Sequence, residues 1–259
     1  MPRHIRLALT AFRPTLWPTL FTIPALILLI GLGSWQVERL HWKEDLIATR
    51  TARSSGPSSA LPADTADPAG YEFSKTRVTG YFLNDKEMYL AARSLNGNTG
   101  FHVVTPFVLA DGSAILVDRG WIPLERKDPA TRPAGELAGE VTILALLRAS
   151  QRQNWLVPDN EPQHNVWFYV DVPAMARAAG LAQVRPYFIE AGRAPNPGGY
   201  PIGGQSHIDL PNNHLQYALT WYSFAVSLTV IYLLYHRNLA REAAAKAAGA
   251  TEESHSKEA

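Results

Sequence analysis

Residues 215–235, LQYALTWYSFAVSLTVIYLLY, contain no charged side chain. A helix needs roughly 20 apolar residues to cross a hydrocarbon core about 30 Å thick, and this run has that length. His236 and Arg237 end it, and Asn212, Asn213 and His214 precede it. A second run, LWPTLFTIPALILLIGLGSWQV (16–37), is also long enough. Pro18 and Pro24 lie in it, and membrane helices tolerate proline better than soluble ones do. A cleaved signal peptide is the competing reading, but this apolar core exceeds the roughly 7–15 residues of an h-region. Trp35, Arg39 and Trp42 share one helical face, so the helix is expected to continue past its apolar end.

The flanking charges orient the two runs. Arg3, Arg6 and Arg13 precede the first; Arg237, Arg241 and Lys246 follow the second. By the positive-inside rule both termini are expected in the cytoplasm, or the matrix of a mitochondrion. The expected fold class is a two-span transmembrane α-hairpin bracketing a β-rich α+β soluble domain. Its parts are a cytoplasmic N-terminus (1–15), a first span (16–37), an extracytoplasmic domain (38–211), a second span (212–236) and a cytoplasmic tail (237–259) that extends the helix and then frays. The lipid bilayer is thus a partner.

Between the spans, residues 51–70 are rich in Ser, Pro, Ala and Asp and have no periodicity, which predicts a linker. Strands are expected at 71–82 and 86–94, turned by Asn84-Asp85. Two more, 101–110 and 113–123, are joined by Asp111-Gly112, the strongest hairpin signal in the chain. Further strands are expected at 140–150, 165–172 and 184–192. Asp171 is the expected N-cap of a short helix ending at Gly180. Residues 194–204, with their prolines and glycines, are a loop.

Several functions are excluded or disfavoured. A net charge of +1 gives no electrostatic reason to bind nucleic acid. Without cysteine there is no disulfide, CxxC pair, covalent haem site or thiolate metal site. With only three methionines besides, copper carriage is disfavoured. GxSxG, HExxH, P-loop and GxGxxG motifs are missing, so no enzyme is expected. His102, His164 and His207 are scattered and read as structural rather than as a metal cluster.

Three places carry candidate chemistry. In VDRGWIP (117–123), Arg119 can grip a carboxylate or propionate bidentately and Trp121 can stack on a flat ligand. The plainer reading pairs Asp118 with Arg119 or a neighbour, gives Gly120 a positive φ and makes Trp121 cap a small core. In GSWQVERLHWK (33–43), Trp35, Gln36 and Arg39 are interfacial anchors or a docking face. At the second span, His214, Tyr217, Ala218, Trp221, Ala225 and Leu228 share one helical stripe. His214 is then an axial ligand to haem iron, a solvated interfacial residue, or a group that helps cap the helix after Asn212 and Asn213.

GSWQVERLHWK, GNTGFHVVTPFVLADGSAILVDRGWIP (97–123) and NNHLQYALTWYSFA (212–225) occur in that order between and within the two spans. Together they resemble the surfeit-locus-1, or Shy1-like, family of cytochrome c oxidase assembly factors, over residues 17–237. The resemblance implies an assembly factor in the bacterial cytoplasmic or inner mitochondrial membrane, supporting maturation of oxidase subunit I. It implies that haem a is held transiently and received from haem A synthase. The family's candidate haem-ligand histidine matches His214, with Tyr217 and Trp221 beside it. Its middle motif matches Gly100, Arg119, Gly120, Trp121 and Pro123, which it implies are folding or partner-surface positions. The alternative is a structural chaperone that docks subunit I without binding haem. Lacking a long presequence, the chain is expected in a bacterial membrane.

Overall fold

A computed structural model describes residues 14–62, 67–206, 208 and 210–258. Arg3, Arg6, Arg13 and His207 lie outside the described residues. The chain divides into two compact units. One is Leu46–Leu210; the other joins the residues up to Asp45 to those from Pro211 onward.

Helix α1, Leu16–Ser55, is a single α-helix. It continues past the apolar run, as the Trp35–Arg39–Trp42 spacing predicts, and takes in the first residues of the expected linker. Pro24 lies inside it. Arg53 Nη1 donates to the carbonyl of Glu72 at 3.3 Å, which ties the end of α1 into the Leu46–Leu210 unit.

That unit is built on seven strands: β1 Lys75–Phe82, β2 Met88–Leu95, β3 Asn98–Leu109, β4 Ala114–Pro123, β5 Val141–Ala149, β6 Val166–Trp167 and β7 Val184–Ala191. β1 pairs antiparallel with β5 from Lys75↔Leu146 to Gly80↔Val141, and its end also pairs with β3 from Gly80↔Leu109 to Phe82↔Phe107. β5 pairs with β7, β7 runs parallel to β4, and β4 returns to β3. The five strands β1-β5-β7-β4-β3 therefore close on themselves, with β2 and β6 added outside β3. Gly80 stands where β1 changes partners, and a Cβ there would lie 2.0 Å from the Val108 carbonyl oxygen.

Alternation of side chains along each strand fills the ring. Val78, Phe82, Phe107, Ile115, Val117, Ala145, Leu147, Tyr187 and Ile189 form one buried cluster. Each such side chain contributes about 1.5–3 kcal/mol. As in other small barrels, side chains occupy the interior. A second cluster lies on the opposite faces of the same strands, where Leu116 and Phe188 meet Trp167, Val172 and Met175. The last two belong to α2, Val172–Ala178, whose N-cap is Asp171, accepting from Ala174 N at 3.0 Å. α3, His214–Glu258, then runs to the end of the described chain.

Several strand expectations hold, and the Asp111-Gly112 hairpin joins β3 to β4 as predicted. Two do not. Asn84-Asp85 turns no hairpin: residues Asn84–Lys86 form a 3-10 turn, and β1 goes to β5 and β3 while β2 goes to β3. The actual second hairpin is β2–β3, closed by Leu95↔Asn98 across Asn96-Gly97. The expected strand at 165–172 shrinks to β6, because Asn160 Oδ1 takes the Phe168 N–H at 2.8 Å and Asp171 is already a helix cap.

Candidate functional site

Within the unit that holds them, α1 and α3 pack antiparallel. Thr19 and Tyr232 share a hydrogen bond of 2.7 Å, and Ser34 and Tyr222 one of 3.2 Å. The approach is close because small residues lie at the contact: Ala218 is 1% and Ala225 7% exposed. At Gly33 an added Cβ would lie 2.6 Å from the Tyr222 ring.

His214 opens α3, and its Nδ1 lies 2.6 Å from Oε1 of Gln36. A carboxamide oxygen only accepts, so His214 Nδ1 is the donor. The neutral ring then carries its lone pair on Nε2. Gln36 is itself buried, so the ring is held by a fixed acceptor. This removes the helix-cap reading of His214, whose side chain crosses to α1 instead. Of its expected companions, Trp221 is half-buried and stacks edge-to-face on Phe224 at 6.2 Å, while Tyr217 is 55% exposed. Neither makes a ring contact with His214. Trp35 is half-exposed, and Arg39 stacks on Trp42 at 3.7 Å, as their helical spacing suggests.

His236 is the surprise of α3. It ends the apolar run in sequence, yet it is fully buried, edge-on to Tyr232 at 4.4 Å and Tyr235 at 5.1 Å. It stands 22 positions beyond His214, or about 33 Å along a helix. The two imidazoles cannot meet on one metal ion.

VDRGWIP resolves in favour of its plainer reading, with one change of partner. Arg119 is buried, and Glu87 Oε1 accepts from it at 3.4 Å. Its other partners are Asn84 Oδ1 and the Gly135 carbonyl, and it stacks over Phe82. Glu87 also binds Arg132 at 2.5 Å, and Arg132 binds Glu136 at 2.6 Å. Two guanidiniums and two carboxylates thus balance inside the protein, and Arg119 has no free fork for a ligand carboxylate. Burial pulls the Arg119 guanidinium down from its ordinary pKa, with Glu87 opposing. For Arg132 burial acts the same way, but the Glu87 hydrogen bonds and charge outweigh it and the net shift is upward. Burial, then the Glu87 charge, push the neighbouring Tyr89 up to about 12.

Asp118 does not pair with Arg119. Its Oδ2 lies 2.9 Å from His102 Nδ1, and its Oδ1 accepts from Gly120 N. Gly120 has φ +115°, and a Cβ there would strike the Ile202 carbonyl. Trp121 is buried and exchanges both backbone hydrogen bonds with Ile202. His164 goes to Glu161 on the surface. Among the described residues no three metal-ligating side chains converge.

A model of the SURF1 family matches residues 23–226, from within α1 to within α3, and so takes in both Gln36 and His214. The chain belongs to the SURF1 family. It is 37% identical over 234 residues to a SURF1-like protein of Monosiga brevicollis, covering 86% of this chain and 88% of that one. It is 36% identical over 218 residues to Surfeit locus protein 1 of Homo sapiens, covering 78% of this chain and 72% of the relative. Surfeit locus protein 1 of Xenopus tropicalis matches at the same identity, with 78% and 70% covered. The SURF1 family assignment agrees with the resemblance that the three motifs carry.

Proposed function

We propose that the chain is a membrane-anchored, non-enzymatic assembly factor for cytochrome c oxidase. It holds haem a at His214 and passes it to subunit I, with haem A synthase as the donor. The observation that carries this reading is the His214–Gln36 hydrogen bond. Metal-ligating histidines almost always donate their other ring N–H to an oxygen acceptor, which fixes the tautomer and raises the basicity of the ligating nitrogen. His214 has that arrangement, with Nε2 as the ligating atom. Trp221 and Tyr217, on the next turns of α3, offer aromatic surface to a planar apolar cargo.

In this reading α1 and α3 both cross the bilayer. Their exposed apolar side chains, among them Ile27, Leu28, Leu219 and Val226, face lipid or the transmembrane helices of subunit I. Those same faces favour the second reading, in which the chain docks subunit I and binds no haem. The test is a visible spectrum of the protein purified from cells that make haem A. The expected result is haem bound near one equivalent, and its loss or a changed spectrum in His214→Ala. A wild type without haem leaves only the chaperone reading. Unchanged haem in His214→Ala removes His214 as the ligand.

A further inference from the structure

A cavity of about 430 Å³ opens in the Leu46–Leu210 unit, and its lining includes none of His214, Tyr217 and Trp221. That volume is within the range of small-molecule sites. Three guanidiniums line it, Arg50, Arg93 and Arg148, together with the His102–Asp118 pair and Glu190.

The charges are unevenly matched. Arg148 is neutralised by Glu190 at 2.5 Å and Glu72 at 3.2 Å. Asp118 is committed to His102 and to the Gly120 N–H. Arg93 reaches only the Phe168 carbonyl, and Arg50 only the face of Phe73, at 4.6 Å. Among the described residues neither meets a carboxylate. Both are half-buried, so two guanidinium charges face the cavity without a counter-ion. Meanwhile Glu190 Oε2 is buried and accepts no hydrogen bond. Among the described residues, two guanidiniums at the cavity thus have no carboxylate in contact, and one carboxylate oxygen has no donor.

The backbone is strained at the same place. The register of β2 against β3 slips between Leu90 and Arg93, with Ala92 at φ +55°, and the slip re-aims Arg93. Phe73, a buried aromatic between Arg50 and Arg148, sits at φ +65°. Such conformations cost about 1–3 kcal/mol each and gather at binding sites.

We propose that this cavity is an oxyanion site that takes a phosphate group. Arg50 and Arg93 supply paired N–H donors to its oxygens, the geometry for which guanidinium is suited. A phosphate that keeps one O–H donates to Glu190 Oε2. A carboxylate has no donor for Glu190 Oε2. Free phosphate as the dianion keeps one O–H; the headgroup of phosphatidic acid, a phosphomonoester, keeps one only as the monoanion, and the two share the phosphoryl oxygens that Arg50 and Arg93 would grip.

The test uses the full chain in nanodiscs. Inorganic phosphate is titrated at constant ionic strength against phosphatidylcholine discs, following the melting temperature and the heat of binding. Phosphatidic acid is then introduced in a second set of discs without phosphate. The expected result is saturable stabilisation by one source, weakened about tenfold or more in Arg50→Gln and Arg93→Gln and unchanged in Arg77→Gln, an exposed arginine of β1. Stabilisation by phosphate assigns a soluble ligand; stabilisation only by phosphatidic acid assigns a lipid. In case the variants fail to fold, phenylglyoxal labelling of the wild type reads the same contact: the bound ligand must protect Arg50 and Arg93. No stabilisation by either source, equal response in the variants, or no protection overturns the proposal. None of these outcomes bears on haem at His214.

Discussion

At Gln36, His214 uses the carboxamide oxygen rather than the bulk of the side chain. Gln36→Leu keeps the volume and removes the acceptor, so Nδ1 loses its partner and the tautomer is no longer fixed. Loss of such a partner weakens metal binding about 10–100-fold. The expected outcome is therefore a right-shifted haem titration with helicity retained. A lowered melting temperature with unchanged haem affinity would make the bond purely structural. Glu87 is a different kind of residue, holding two buried guanidiniums with one carboxylate. Glu87→Gln leaves Arg119 without a carboxylate and Arg132 with Glu136 alone, which is expected to cost about 3–5 kcal/mol, read as a lowered denaturation midpoint. Replacing Glu87, Arg119 and Arg132 together by apolar residues should cost less than Glu87→Gln alone, since no buried guanidinium is then stranded and only the partly exposed Glu136 loses its partner. The type of residue was legible at His214, because imidazole beside an apolar run is conspicuous. Its partner was not, since Gln36 is 178 residues away. Arg119 was misleading in part, because its counter-ion, Glu87, is supplied from just before β2, and a further acceptor, the Gly135 carbonyl, from the loop after β4.

Among the elements, the closure of the barrel rests on one narrow contact. Gly80→Ala places a methyl group against the Val108 carbonyl, a backbone atom that cannot rotate away. It should split β1 from β3 and be recovered mainly as aggregate. Gly70→Ala, where a Cβ meets nothing within 4 Å, should behave as wild type. Soluble yield and melting temperature of the two variants check this, and a normal Gly80→Ala protein would mean that β1–β3 pairing does not hold the ring closed. Elements specified by local pattern were legible: the apolar length of α1 and α3, the Asp-Gly turn, the Asp171 cap. Asn84-Asp85 misled because a turn dipeptide says that the chain bends, not which strand lies beside it. β1 takes its partners from β5 and β3, a choice made by packing across the ring. The ring itself was invisible, because no periodicity distinguishes a closed sheet from an open one.

For the whole molecule, topology is the property to measure. With both long helices spanning, a reporter fused after Ala259 should read as cytoplasmic. The same reporter inserted at Trp155, a 90% exposed side chain between β5 and β6, should read as outside. Matching signals from the two sites would leave only one span. The bond between Gln36 and His214 also has a consequence for biosynthesis. The ribosome adds about 5–20 residues per second, so the acceptor waits roughly 10–35 s for its histidine. All seven strands are made in that interval, the last ending at Ala191. A nascent chain therefore has the means to build its barrel before it has the means to form the Gln36–His214 bond. A premature stop between Ala191 and His214 would leave every strand encoded and the proposed ligand, His214, missing. Such an allele would be a functional null that antibodies against the soluble part could still detect.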